Sequence, residues 1–350
     1  MMIKTPHSIC LLRLTSLGDI VLLTPMIRAL RNAWPSTRFD MIVSSHCADV
    51  IQHNPHIDNL HIISTKQGTL GFLIDWIALK KTLPKFDLAI DVHDSLRTRL
   101  MRINLANKVL IYDSARSYKR SIVNDKKRIP IERITPVPHR YFTALKDIPS
   151  ITPDDLGLEF WLAHESEQGL YSAKSAIDSG SVILISPGAK HATKRWPPAY
   201  VATLISMIRS VTDMPIQLIG GIDDKSICDE IQSISSIPIS NLAGSLTLEQ
   251  LASYMDTAAC VIGNDSGLMH IAAARHVPVL TIFGSTVPEF GFLPYHTQHE
   301  IVSIELPCKP CTHIGNAKCP EGHFSCMKLA TPSIVFERFK SLLAQRANRY

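Results

Sequence analysis

Long apolar runs are missing from this 350-residue chain. No segment approaches the roughly 18 uncharged apolar residues that cross a bilayer as a helix. The first apolar run, ICLLRL (Ile9 to Leu14), is broken by Arg13 and soon followed by Asp19. No small-residue cleavage site comes after it, so the start does not read as a secretory leader. The predicted location is cytoplasmic, with membrane contact from one side at most. Also missing is any G-x-G-x-x-G after a strand-like run, which argues against a nicotinamide-dependent dehydrogenase. Charge of one sign is in little excess: 36 Lys and Arg against 31 Asp and Glu leave a formal +5. That favours an anionic partner without choosing among a phosphorylated sugar, a membrane surface and nucleic acid. Aromatics are 7% of the chain. Only Tyr112 and Tyr118 fall in its most basic stretch, so stacking on single-stranded nucleic acid is poorly served. Repeats and low-complexity tracts are absent as well.

What is present is a folded composition, 45% hydrophobic and 19% charged, in a chain long enough for two domains. Strand-like runs (residues 9–14, 39–44, 60–65, 86–92 and 108–113) alternate with stretches of helical spacing such as 25–34 and 73–83. The pattern weakens from about 150 to 180, where prolines and acidic residues predict a linker. It restarts at 181–188, 214–221, 259–267 and 277–284, and an amphipathic segment closes the chain. Strand–helix alternation of this kind predicts two successive doubly wound, mostly parallel α/β domains. Ligands of such sheets bind beyond the carboxyl ends of the strands.

Four strand ends in the second half carry unusual residues. SPGAKHATKRWPP (Ser186 to Pro198) offers Lys190, Lys194 and Arg195 ahead of a helix start, which suits phosphate. It equally suits a solvated loop plugged by Trp196. GGIDDK (Gly220 to Lys225) offers Asp223 and Asp224 to a ribose diol or to a helix N-terminus. GNDSGLMH (Gly263 to His270) is the sharpest: Asp265, Ser266 and Gly267 open a helix whose N–H groups fit a diphosphate, and His270 lies one turn in. FGSTVPEF (Phe283 to Phe290) supplies a small polar turn at Gly284, Ser285 and Thr286. Two further clusters stand apart. From Arg97 to Arg128 there are ten Lys or Arg against two Asp, either a solvated face or an anion-attracting patch. Cys308, Cys311, Cys319 and Cys326 crowd one stretch and read as structural thiols or as a structural zinc site, the last spacing being wide for a zinc ribbon.

RLTSLGDIVLLTPMIRAL, SPGAKHATKRWPP, LAGSLTLEQLASYMDTAACVIGNDSGLMHIAAA and PCKPC…CP…C, in that order, resemble the signature blocks of glycosyltransferase family 9. These are the ADP-heptose–lipopolysaccharide heptosyltransferases, and KRWP with the cysteine tail lies nearer their second-heptose type. The resemblance implies a GT-B architecture, two Rossmann-like domains facing across a cleft. It implies an acceptor domain over 1–165, a donor domain over 166–330, and a closing helix (331–350) packed back on the first. It further implies inverting, metal-independent transfer of heptose from ADP-heptose to the inner core of lipopolysaccharide, with no cofactor required and transient contact with an anionic inner membrane.

Matched by motif, Lys194 meets the donor phosphates, Asp223 the adenosine ribose (glutamate is common there) and Leu246 the adenine. Asp265, Ser266, Gly267 and His270 surround diphosphate and heptose, and Ser186 and Gly188 complete the donor set. Asp19 matches the general base, with Ser16, Gly18, Arg97, Arg116 and Arg120 on the acceptor side. The competing readings are a GT-B nucleotide-sugar epimerase and a zinc-ribbon nucleic-acid binder. Asp19 itself reads as a helix cap, since a carboxylate there would repel a diphosphate. Cap and base are compatible, because a helix N-terminus keeps the carboxylate ionised.

Overall fold

A computed structural model describes residues 4–65, 68–126, 129–163 and 182–347. Two compact units emerge, one comprising Met1–Arg116 with Val137–Leu170, the other Ser117–Pro136 with Tyr171–Tyr350. The first holds a parallel sheet of β1 (Ser8–Leu12), β2 (Arg38–Ser44), β3 (Asn59–Ile63), β4 (Phe86–Asp91) and β5 (Ala106–Ile111), in the order β3-β2-β1-β4-β5. Its helices are α1 (Leu17–Val21), α2 (Thr24–Ala33), α3 (Gly68–Thr82), α4 (Leu96–Met101) and α6 (Val137–Tyr141), while α5 (Arg116–Asp125) lies almost wholly in the other unit. Central β1 is covered on both faces, so Ile9 to Leu12 are fully buried, which is why it reads as an unbroken apolar run.

The second unit holds β6 (Val182–Ser186), β7 (Ile216–Leu218), β8 (Ser240–Asn241), β9 (Ala258–Asn264), β10 (Val279–Phe283) and β11 (His299–Ser303), also parallel, in the order β11-β10-β9-β6-β7-β8. Around it lie α7 (Pro198–Arg209), α8 (Lys225–Ile234), α9 (Leu248–Met255), α10 (Gly267–Ala274), α11 (Ser325–Lys328) and α12 (Pro332–Ala347). Helix starts follow local rules. Pro198 opens α7 at its first turn. At α9 the Thr247 hydroxyl accepts from the Gln250 N–H at 3.1 Å, and the Gln250 side chain returns to the Thr247 N–H at 2.9 Å.

Three features depart from the sequence pattern. The acidic stretch after 150 is not a free linker as far as residue 163. Arg28 of α2 binds both Asp154 oxygens at 2.6 Å and Glu159 at 2.7 Å, while Leu158, Phe160 and Leu162 alternate into the core. The 165/166 boundary itself lies outside the described residues, as do Ser181, Lys127 and Arg128. Segment 117–136 joins the second unit because Ile122 packs on Val287 and Phe290, and the Tyr118 hydroxyl donates to the Glu289 carbonyl at 3.2 Å. The closing helix packs within the second unit: Val335, Phe336, Phe339 and Leu342 share a core with Trp196 and Leu204. Strands β8 and β11 escape the pattern, the first having two residues and the second being a half-buried edge containing His299 and Glu300.

Candidate active site

Each sheet reverses its strand order once, between β1 and β4 and between β6 and β9. The crevice beyond the carboxyl ends at such a point is where an open α/β sheet takes its ligand. Both points carry a cation paired with a carboxylate, Arg13 buried and Lys194 partly exposed.

In the first unit Asp19 sits in the opening turn of α1 and reaches back to Ser16. Its Oδ2 accepts from the Ser16 hydroxyl at 2.6 Å and from the Ser16 N–H at 3.2 Å, the capping arrangement. Its Oδ1 lies 2.7 Å from Arg13 Nη2 and 3.3 Å from the Tyr141 hydroxyl. Arg13, at the end of β1, is 6% exposed, donates to the Val92 carbonyl and lies 5.5 Å from the Tyr141 ring centroid. Burial alone would raise the Asp19 pKa; Arg13 and Ser16 outweigh it and lower the value to about 2. Beyond β4, His93 accepts the Leu14 N–H on Nδ1 at 3.1 Å. Burial, then the Arg13 charge, depress its pKa to about 4, so the ring is neutral at pH 7. Gly18 is buried in α1 and Ser16 is exposed at its entrance.

The basic run behaves less simply than its count of charges. Arg99, Arg102 and Arg116 all turn to Asp94, at 3.0, 3.7 and 3.2 Å, and Arg97 lies 5.0 Å from the Phe72 ring centroid. Asp94 stands just ahead of the run, and three of these guanidiniums converge on it. Arg120 falls in the second unit, whereas Arg97 and Arg116 fall in the first.

In the second unit Lys194 Nζ lies 2.5 Å from Asp265 Oδ2, which also accepts from the Thr286 hydroxyl at 2.8 Å. Asp265 and Ser266 lead directly into α10, whose start no side chain caps. Among the described residues the shielded Ser266 hydroxyl has no hydrogen-bond partner. An uncapped helix start, an unpartnered hydroxyl and a lysine together form an anion-binding arrangement. Asn264 holds the surrounding loops. Its side chain donates to the Pro187 carbonyl at 2.7 Å and accepts from the Trp196 N–H at 3.1 Å. Ser186 and Gly188 are buried beneath, and His270 is buried one turn into α10 against Phe292.

The acidic residue turned inward at Gly220–Lys225 is Asp224, whereas Asp223 is exposed. A Cβ at Gly188 would collide with the Asp224 carboxylate. Burial pushes the Asp224 pKa up. Leu246, half-buried, stands in the turn before α9.

All eight cysteines are free thiols. Burial and neighbouring thiols push Cys311 up to about 11. Cys308 Sγ lies 3.8 Å from His323 Nε2. Among the described residues no three His, Cys, Asp or Glu side chains are placed to hold a metal.

Arg13, His93, Tyr141 and Asn264 are the site residues that pattern reading passes over, whereas Thr286 lies in a turn it singles out. The strand-end rule reaches all of them except Tyr141, which comes from α6.

The model of glycosyltransferase family 9 (heptosyltransferase) matches residues 76–320. The chain is 25% identical over 334 residues to lipooligosaccharide heptosyltransferase 2 of Campylobacter jejuni, spanning 94% of this chain and 96% of that one. A glycosyl transferase family 9 structure from Veillonella parvula superposes with a TM-score of 0.76 at 20% identity over 99% of both chains. The structure of Escherichia coli ADP-heptose LPS heptosyltransferase II superposes at 0.71 and 19% identity, over 97% of this chain and 99% of that one.

Proposed function

The chain belongs to glycosyltransferase family 9 and is a glycosyltransferase of the GT-B fold; on that premise we propose that it transfers heptose from ADP-L-glycero-D-manno-heptose to the inner core of lipopolysaccharide. The observation that carries this reading is the Lys194–Asp265–Ser266 arrangement at the uncapped start of α10, a site for a diphosphate.

The reaction is a single inverting displacement. The acceptor hydroxyl oxygen bonds to the anomeric carbon while the carbon–oxygen bond to ADP breaks, and the electron pair leaves with the diphosphate. Lys194, the Ser266 hydroxyl and the first N–H groups of α10 stabilise that charge without a metal. Asp19 takes the hydroxyl proton. A carboxylate of pKa about 2 is a weak base. The proton becomes strongly acidic as the new bond forms, however, so an ionised acceptor is the main need.

A carboxylate offers about four lone-pair directions, and here Arg13, Tyr141 and the two Ser16 donors face them. The acceptor hydroxyl therefore displaces the exposed Ser16 hydroxyl and leaves Arg13 in place. On the donor side, a diphosphate competes with Asp265 for Lys194. The acceptor is lipid-borne, so the enzyme works against the anionic inner face of the inner membrane.

The test is ADP release from ADP-heptose, measured with and without defined inner-core acceptors. Release that requires acceptor and yields a heptosylated product supports the reading. Donor turnover to a free sugar without acceptor would replace it with an epimerase.

A further inference from the structure

Helix α3, GTLGFLIDWIALKKT, is apolar on both of its faces. Phe72 and Trp76 face the core of the first unit. The opposite side exposes Leu70, Ile74 and Ile77, at 71%, 61% and 56%. Their spacing of four and three residues makes one stripe along the helix. A second stripe with the same spacing runs through and just beyond α4, where Leu96, Leu100 and Ile103 are 85%, 36% and 56% exposed. The two elements touch: Lys80 Nζ donates to the Ile103 carbonyl at 2.5 Å, and Arg97 of α4 lies over the Phe72 ring of α3. A lone exposed leucine means little, but two exposed apolar stripes on neighbouring helices of one unit are of the kind that marks an interaction surface.

The charges beside the patch select its occupant. Lys80, Lys81, Arg97 and Arg99 lie on the same two helices, against the half-buried Asp75 and Asp94, the latter just ahead of α4 and paired with Arg99, so the basic charges outnumber the acids. Aliphatic side chains flanked by basic ones are how a peripheral protein rests on an anionic bilayer. A second copy of this chain would set like charges against each other across a two-fold contact. The position fits as well. α4 begins three residues after His93, whose Nδ1 accepts the Leu14 N–H next to Arg13, so the chain runs from the acceptor-side site directly into the patch.

We propose that the exposed stripes of α3 and α4, with their lysines and arginines, dock the enzyme on an anionic phospholipid surface and bring Asp19 to a lipid-borne acceptor. The docking surface stands on geometry alone, while its purpose rests on the function proposed above.

Full-length protein is sedimented with vesicles containing no lipopolysaccharide: phosphatidylglycerol with phosphatidylethanolamine, or phosphatidylcholine alone. Binding is expected to the anionic vesicles and to weaken with salt. A triple variant, Leu70→Ser, Ile74→Ser and Ile77→Ser, should bind about tenfold less or weaker still while keeping the wild-type melting temperature, since all three side chains are exposed. Lys81→Glu should weaken binding by a smaller factor. With a soluble, delipidated core acceptor, the triple variant should release ADP as the wild type does. Three outcomes overturn the proposal: wild-type protein that ignores anionic vesicles, equal binding to phosphatidylcholine, or unchanged binding by the triple variant. Concentration-dependent self-association that the triple variant abolishes would make a second copy the occupant, and would overturn it also. Vesicle binding contains neither donor nor acceptor. Its failure therefore counts against docking, and failed transfer with intact binding counts against the function.

Discussion

The two switch-point sites use the same pair of charges to opposite ends. In the first unit the carboxylate is the centre: Arg13, Tyr141 and Ser16 converge on Asp19, and Arg13 is sealed from solvent. In the second unit, among the described residues, the cation has a single carboxylate partner, beside an uncapped helix start and an unpartnered hydroxyl. A carboxylate held from several sides is a fixed negative charge with one exposed edge. A lysine beside an open anion site can be handed to another anion. One site is built to keep its charge and the other to exchange a partner.

The largest effect should come from breaking the fixed charge. Asp19→Asn keeps the shape and removes the base, and should slow transfer by about 10²–10⁴-fold with ADP affinity unchanged by calorimetry. Near-normal transfer would reduce Asp19 to a helix cap and end the functional half of the comparison. Ser16→Ala is the sharper companion: it removes the hydroxyl that the acceptor is proposed to displace, so it should cost far less than Asp19→Asn.

On the exchanging side, Lys194→Ala should lower kcat/KM roughly 10²–10³-fold, the range for one lost charge-stabilising donor. ADP should also bind more weakly. Asp265→Asn should act in the opposite sense on affinity, because the lysine then has no anionic competitor. A tighter ADP complex in Asp265→Asn and a looser one in Lys194→Ala would establish partner exchange. Equal loosening in both would mean that the pair holds the loop and nothing more.

A smaller effect separates site from scaffold. Asn264→Ala leaves the Trp196 N–H and the Pro187 carbonyl without their buried partner, a cost of about 1–3 kcal/mol for each such group. Thermal unfolding should fall by several degrees while Asp19-dependent chemistry survives in the protein that remains folded. Loss of activity with no loss of stability would move Asn264 from holding the loops to touching the donor.

Much of this was legible because parallel strands buried on both faces print themselves as apolar runs, and the polar residues that end them stand out. Asp19, Lys194 and the Asp265 loop are found that way. Partners are less legible, since Arg13 meets Asp19 only through the turn the chain makes between β1 and α1. Counting charge also misleads. Ten basic residues look like an open patch until Asp94, outside the window, draws three of them together. The apolar faces of α3 and α4 are illegible for a related reason. In sequence a helix apolar all round reads as buried, and only the fold shows which half has no cover.

The last and smallest effect is a pH response that vanishes near neutrality. His93 has a folded pKa of about 4, below its ordinary value near 6.5, chiefly through burial and then through Arg13. Between those values the unfolded chain holds a proton that the folded one refuses. The stability contributed by neutral His93 is thus complete above about pH 6.5 and drains away as pH falls toward 4. Asp19 follows at lower pH. Its folded pKa of about 2 lies below the ordinary carboxylate value, so its contribution is full above that value and is lost as pH falls toward 2. Acid unfolding should therefore show two steps, and His93→Gln should flatten only the first. The imidazole signals of His93 in the folded protein should titrate near pH 4. A midpoint near 6.5 would mean that neither burial nor Arg13 acts on His93, and the sealed charge cluster of the first unit would have to be redrawn without it.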